Sequence, residues 1–486
     1  MTRGSRNLAA SLTIAAALAG CAVNPATGER QLSLVSVDEE IRLGRTSAAE
    51  VRHRIGLVDD ARLQAYVERI GQQLASASER PSLLWSFQVV DDPSPNAFAL
   101  PGGFIFVTRG LMGLMGSEAQ LASVLGHEIG HVTARHSVTM ISKQQLAQLG
   151  LGLGTAFYPE LGPIGQAIGA GLSLLFLKYG RDAEHQADEL GFRYASARNY
   201  DLRAMATVFD AIQRTAALEH TSTLPSWLQT HPEPGERIAH VNEMLDALPS
   251  ASAGRVDRPA YLDEIDGLVY GQNPRQGYFE NGHFYHPELR FSFEIPYDWQ
   301  AQNGASAVIA AAPQGAAALQ LTLVEDGGEV AMRRFAAQPG VRIGRVSTMR
   351  IHGIPATTAP FQVAAGGSRV RGLIAYLSHR DRTFELAAYA TAASWAEYRE
   401  RLESVIRSFS PVTDPGVLAA APHRLEIVRL DRDTTLEQFD ETYESVIPLG
   451  ELAIINHVPN GASRLAAGAL VKRVVGSRTR SAATPR

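Results

Sequence analysis

His127 and His131, four residues apart with Glu128 directly after the first, are the residues of this chain whose types and spacing best suit chemistry. The run from Ser117 to Val132 holds no proline, and Ser117 is a residue type that caps helix N-termini, so the segment is predicted to be one helix. A spacing of four then puts both imidazoles on one face, where they can grip one zinc ion. Glu128, facing the same cleft, can take a proton from a water molecule there. The implied chemistry is metal-assisted hydrolysis, and the pattern still lacks a third protein ligand.

A second segment predicted to be helical, Arg181 to Gly191, supplies one. Glu184 and Asp188 are again one turn apart, so one carboxylate can complete a His-His-Glu site while the other hydrogen-bonds a ligand imidazole and fixes its tautomer. His185 is a rival third ligand, but it turns away from the Asp188 stripe and ranks below Glu184. The metzincin arrangement is excluded, because it needs Gly and His where this chain has Ala134 and Ser137. His136 falls on another helical face and is read as structural.

With these residues stands Asn96-Ala-Phe-Ala-Leu-Pro101-Gly-Gly-Phe-Ile-Phe-Val-Thr-Arg-Gly-Leu111, and then Thr230-His231-Pro232 followed by Glu236-Arg237-Ile238. Four such segments in this order resemble the HtpX/BepA-type gluzincin metallopeptidases, metallopeptidase family forty-eight, in their periplasmic lipoprotein branch. The resemblance spans residues 36 to 245. It implies a mainly helical peptidase domain with a small β-sheet, one zinc ion held by His127, His131 and Glu184, Glu128 as general base, and Asp188 behind a ligand. It further implies that His231 can occupy the open metal position in a resting state, and that a strand carrying Asn96, Phe98, Pro101, Gly102 and Gly103 aligns an extended peptide substrate.

The chain begins with Arg3 and Arg6, an apolar run from Leu8 to Leu18, and then Ala19-Gly20-Cys21. A basic start, an apolar stretch too short to span a bilayer and a small-residue junction are expected to form a cleaved secretory signal over 1–20. Cys21 is the only cysteine, so no intramolecular disulfide can form. Leu18-Ala-Gly-Cys21 resembles the bacterial lipobox, which implies acylation of Cys21 and a lipid anchor. Ala22, where Asp would mark inner-membrane retention, points to the periplasmic face of the outer membrane. A net charge of -5 shows no basic bias and excludes nucleic acid as an expected partner.

With 486 residues, 45% of them hydrophobic, the chain can bury several cores, and the expected class is α+β multidomain. A tether (21–35) precedes the peptidase domain (36–250), in which Ser36-Val-Asp-Glu39 reads as a capping box. Leu146 to Tyr179, apolar and Gly-rich but broken by Tyr158-Pro-Glu-Leu-Gly-Pro163, reads as a lid or core, with no uninterrupted membrane span. A linker (251–277) leads to a small α+β domain (278–411), in which several alternating strands precede a helix from Trp395 to Phe409. After a second linker (412–422), residues 423–476 resemble a LysM-like fold of strand, two short helices and strand, with an extra Thr435 departing from the usual turn. That resemblance implies peptidoglycan as a partner. The tail, 477–486, is expected to be disordered.

The function expected from these features is a zinc endopeptidase that clears misfolded or stalled envelope proteins. The alternative is a non-proteolytic assembly factor for outer-membrane proteins that uses its metal site as a switch.

Overall fold

The computed structural model describes residues 21–151, 178–219, 227, 230–231, 234–247, 254–304, 306–365 and 368–476. The expected signal (1–20), most of the Gly-rich stretch (152–177) and the C-terminal tail (477–486) lie outside them. Among the described residues no helix is long and apolar enough to cross a membrane. The chain is a mixed α and β structure in two compact units, one formed by the chain up to Gly271 together with Arg424–Val475, the other by Gln272–His423.

The first unit opens with a hairpin, β1 (Cys21–Val23) and β2 (Arg30–Leu32), followed by α1 (Val37–Arg54) and α2 (Ala61–Ala75). Ser36 caps α1 by accepting from the Glu39 amide. The expected reciprocal bond is absent, because the Glu39 carboxylate is taken by Arg42 one turn on. A small sheet follows, with β3 (Ser86–Val90) parallel to β5 (Phe104–Thr108) and β4 (Ala97–Leu100) antiparallel to β5 at the edge. Thr108 caps α3 (Arg109–Leu114), and Ser117 caps α4 (Glu118–Thr133) by accepting from the Gln120 amide, as its residue type predicts. Every residue of α4 is buried, so this helix is the core of the unit rather than an amphipathic surface helix.

Helix α5 (His136–Leu151) follows α4 after a turn in which Arg135 takes a left-handed conformation. Beyond it come α6 (Arg181–Ala197), α7 (Ala204–Glu219) and α8 (Pro234–Asp246). Helices α4 and α6 lie in backbone contact. A Cβ on Gly191 would sit 2.7 Å from the His127 nitrogen, and one on Gly130 would sit 3.0 Å from the Ala187 carbonyl. Only glycine permits that approach, and it brings the Glu184–Asp188 face of α6 against the His127–His131 face of α4.

The expected linker at 251–277 contains α9 (Arg258–Ile265), with Tyr261, Leu262 and Ile265 buried, and β6 (Val269–Tyr270). Pro259 stands at the start of that helix, where a missing N–H costs nothing, and so begins structure rather than breaking it. Residues 424–475 belong to the same unit. They form β7 (His423–Arg429), α10 (Leu436–Tyr443), α11 (Leu449–Ile455) and β8 (Leu470–Val475), with β7 antiparallel to β8 and flanked by β6. The strand–helix–helix–strand order read from the sequence is present, and Thr435 is the N-cap of α10, in a capping box with Gln438. Instead of forming a core of their own, Leu425, Leu436, Phe439, Leu452, Ile455 and Val474 join the same apolar cluster as Leu121 and Leu125 of α4.

The second unit holds an eight-stranded antiparallel sheet whose central strands are Ala317–Val324, Arg382–Thr391, Ser368–His379 and Ile354–Ala365. Phe291–Glu294 lies in a separate four-stranded sheet. The helix Trp395–Ser408 buries Leu402, Val405 and Ile406 among Phe291, Phe384 and Phe409, closing the core as its periodicity predicts.

Candidate metal centre

His127 and His131 leave α4 on one face, and their Nε2 atoms lie 3.0 Å apart. Glu184 of α6 meets them from the facing helix, its carboxylate oxygens 3.6 Å from each Nε2. His231 enters by Nδ1, which lies 3.4 Å from His127 Nε2 and 3.1 Å from Glu184 Oε1. Each of the four residues is about 1% exposed, and one donor atom from each lies within 4.8 Å of all the others.

These spacings fit a four-coordinate metal. Zinc bonds of about 2.0–2.1 Å in a tetrahedron put neighbouring donors about 3.3 Å apart; the His127–His131, His127–His231 and His231–Glu184 separations of 3.0, 3.4 and 3.1 Å lie near that edge, and one atom from each of the four residues lies within 4.8 Å of the rest.

Glu128 stands beside this group. Both its carboxylate oxygens are buried and make no close hydrogen bond; the Ala99 amide of β4 lies against them and His231 Nε2 stands 3.6 Å from Oε1. Burial pushes the carboxyl up to about 7, with the nearby His231 and Arg237 pulling the other way. A buried carboxylate with free lone pairs is costly unless something else is meant to occupy those sites.

Asp188 sits one turn beyond Glu184, its Oδ1 2.8 Å from His127 Nδ1. The arrangement leaves His127 Nε2 as the metal-facing nitrogen. Asp188 is in turn held by Arg237 of α8, whose Nε donates to Asp188 Oδ2 at 2.9 Å and whose Nη1 lies 3.0 Å from Glu184. Burial would raise the Asp188 carboxyl, but the Arg237 guanidinium outweighs it and holds the group well below the usual range. Burial, with the Arg237 charge, lowers His127 to about 4 and keeps the ring neutral, as a ligand must be.

Other predicted residues are placed differently. His185 stacks on His240 with ring centroids 4.4 Å apart and lines, with Arg181 and Glu236, a cavity of about 220 Å3 that opens beside Glu184, so it stands outside the donor group. Asn96 precedes the edge strand β4. Phe98 turns into a cluster with Ala48, Val51 and Phe106 rather than toward the donors. Pro101, Gly102 and Gly103 form the β4–β5 turn, where both glycines have positive φ and a Cβ on Gly102 would strike Ile41 of α1. Cys21 begins β1.

No residue-type pattern assigns a role to Arg237, Tyr179 or Trp227. Tyr179 stacks on His131 with centroids 4.1 Å apart, and Trp227 on His231 at 4.3 Å. An isolated aromatic or arginine announces nothing by itself. The nearness of Arg237 to the His-Pro pair was the one available signal.

Residues 61–245, which span α2 to α8, match the profile of Peptidase family M48. Relatives include the mitochondrial metalloendopeptidase OMA1 of Schizosaccharomyces pombe, 30% identical over 49% of this chain and 69% of that protein. OMA1 of Arabidopsis thaliana is 32% identical over 42% of each chain. The beta-barrel assembly-enhancing protease of Escherichia coli is 24% identical over 65% of this chain and 63% of its own length. The chain thus spans about one-third to just over two-thirds of the length of the relatives it matches. Because the similarity to the S. pombe protein is sustained over more than two-thirds of its length and the matched region carries all four converging donors, the chain belongs to Peptidase family M48 and is a metalloprotease.

Proposed function

We propose that this chain is a zinc endopeptidase that cleaves misfolded or stalled proteins of the cell envelope. The observation that carries the reading is the convergence of four buried donors, within 4.8 Å of one another, beside the buried carboxylate of Glu128, which makes no close hydrogen bond. His127 and His131 would hold zinc through Nε2 and Glu184 through its carboxylate. Bound there, zinc supplies a Lewis acid that polarises the scissile carbonyl and acidifies a water molecule. Glu128 takes the proton as the water oxygen adds to the carbonyl carbon, then returns it to the amide nitrogen as the C–N bond breaks. A carboxyl raised toward neutrality suits both transfers. Strand β4, at the sheet edge, offers backbone groups to an extended peptide, which gives affinity with little sequence preference. Envelope proteins as substrates are supported by the relatives named for assisting β-barrel assembly. An address on the periplasmic face of the outer membrane, through a lipid on Cys21, belongs to the same proposal and rests on the lipobox-like sequence.

Elemental analysis tests the metal reading. The purified protein is expected to hold one zinc, lost in His127→Ala, His131→Ala and Glu184→Ala. Asp188→Ala should weaken binding by about ten- to a hundredfold without abolishing it. Full zinc occupancy in Glu184→Ala would move the third ligand elsewhere.

His231 is proposed to restrain the enzyme. Catalytic zinc sites keep one position open, and His231 Nδ1 stands where a fourth donor would close it. His231→Ala should therefore keep its zinc and raise basal cleavage of casein. Casein turnover at or below the wild-type level would refute the restraint, and lost activity with zinc and stability intact would make His231 a transition-state stabiliser.

A further inference from the structure

His127 and His131 are held by different means. His127 turns its Nδ1 to a carboxylate, Asp188. His131 turns its Nδ1 to another imidazole, His136 Nδ1, at 2.9 Å. Two imidazole nitrogens can share a hydrogen bond only if one carries the proton, and the surrounding groups decide which.

The decision starts at a backbone amide, which can only donate. Ala26 N–H donates to Asn24 Oδ1 at 2.9 Å, so the Nδ2 end of Asn24 is the one that faces Gln186, and it donates to Gln186 Oε1 at 3.3 Å. That fixes the Gln186 amide with its oxygen toward His136, whose Nε2 lies 2.8 Å away. An amide oxygen only accepts, so His136 carries its proton on Nε2 and presents a lone pair at Nδ1. His131 must then donate from Nδ1. Its Nε2 is left with a lone pair, and this is the nitrogen 3.0 Å from His127 Nε2 and 3.6 Å from Glu184. Asn24, His136 and His131 are buried and Gln186 is half-buried, so the His136–His131 bond is the one best shielded from water.

We propose that His136, Gln186 and Asn24 act as positioning residues that fix the tautomer of His131 and so present its Nε2 to the metal. Asn24 lies in the turn between β1 and β2, where it also closes the hairpin by accepting from Gly28 N–H and donating to the Glu29 carbonyl. The N-terminal hairpin thus ends on the metal centre, three hydrogen bonds from a metal-facing nitrogen. The inference rests on the zinc reading above and adds that the hairpin, remote from the catalytic helices in sequence, sets metal affinity.

The test is zinc affinity of the full chain, measured by competition with a chromophoric chelator, alongside the melting temperature of the metal-free protein. His136→Phe keeps the ring and removes the acceptor, and should weaken zinc about ten- to a hundredfold. His136→Gln returns a carbonyl acceptor and should recover most of that loss. Asn24→Ala should weaken zinc by a smaller factor, since Gln186 then loses only the group that orients it. Zinc affinity within about twofold of wild type in His136→Phe would overturn the proposal, and a lowered melting temperature alone would mark the residues as packing groups. If His136→Phe does not fold, nitrogen-15 spectra of imidazole-labelled, metal-free wild type decide instead: a protonated Nδ1 on His131 supports the relay and a protonated Nε2 refutes it. A wild type that takes up no zinc would sink the metal reading itself, an outcome distinct from failure of the relay.

Discussion

Glu128→Gln is expected to lower peptidase turnover by roughly 10²- to 10⁴-fold, the range that removal of a positioned general base produces, while zinc content stays at the wild-type level. The amide is close in shape to the carboxylate, and none of the metal-facing donors is removed. The same change should leave the metal-free protein at least as stable, because the native carboxylate is about 1% exposed with neither oxygen hydrogen-bonded. Folding therefore desolvates a group that prefers its charged form in water, and a neutral amide lessens that cost. Loss of activity together with an unchanged or raised melting temperature is the signature of a residue kept for chemistry against stability. If the variant still cleaved casein at the wild-type rate, another group would have to be the base. Introduced into a deletion strain, the variant also separates proteolysis from a chaperone-like role: complete rescue would show that the cell uses this protein for something other than peptide-bond cleavage.

Much of the metal centre was legible because its information is local. The spacings His127–His131 and Glu184–Asp188 each fix one face of one helix, and Ser117 marks where the first helix begins. That the two faces meet was written less openly, in Gly126, Gly130 and Gly191, whose missing side chains let α4 and α6 touch. Arg237 stands in a segment that carries the family resemblance, but no local pattern says that it will be buried against Asp188 and Glu184. His136 was read as structural on helical geometry alone. Its bond to His131 depends on the left-handed turn at Arg135, which starts a new helix and swings the ring back toward the metal. Pro259 falls in the segment expected to be a linker, yet proline in the first turn of a helix is favourable and a helix begins there. In the second unit, alternation and helical periodicity were sufficient for the main strands and the closing helix, but not for pairing order, which depends on partners far apart in sequence.

Removing residues 424–486 should prevent the peptidase from folding, although the sequence of that segment suggests an appended module. The reason lies in the connection between α3 and α4, the helix that carries His127 and His131. The final carbonyls of a helix have no partners within it, and here they are buried. Lys472 of β8, fully buried, donates from Nζ to the carbonyls of Gly113 at 2.9 Å, Met115 at 2.8 Å and Leu114 at 3.3 Å. His457 Nε2 lies 3.1 Å from the Leu114 carbonyl, and Arg258 joins the Gly116 and Leu470 carbonyls. Burial and the neighbouring Arg258 charge hold the Lys472 amine well below the usual lysine range, so its hold on these carbonyls rests on its hydrogen bonds rather than on its charge. Truncation would strip Lys472 and His457, leave Arg258 without its Leu470 acceptor, and expose the apolar surface that Leu436, Phe439, Leu452 and Val474 cover. Within the intact chain, Lys472→Met keeps the aliphatic stem and leaves the three carbonyls without their common donor. At about 1 kcal/mol for each lost acceptor, the expected cost is roughly 3 kcal/mol, or on the order of 5–10 °C in melting temperature for a unit of this size. Zinc affinity at a temperature where the variant is folded should be unchanged, because none of the metal-facing groups is touched. A truncated chain that folds, binds zinc and cleaves casein would show that the segment is an appendage, and a Lys472→Met protein that melts with the wild type would show that water can replace the Lys472 amine.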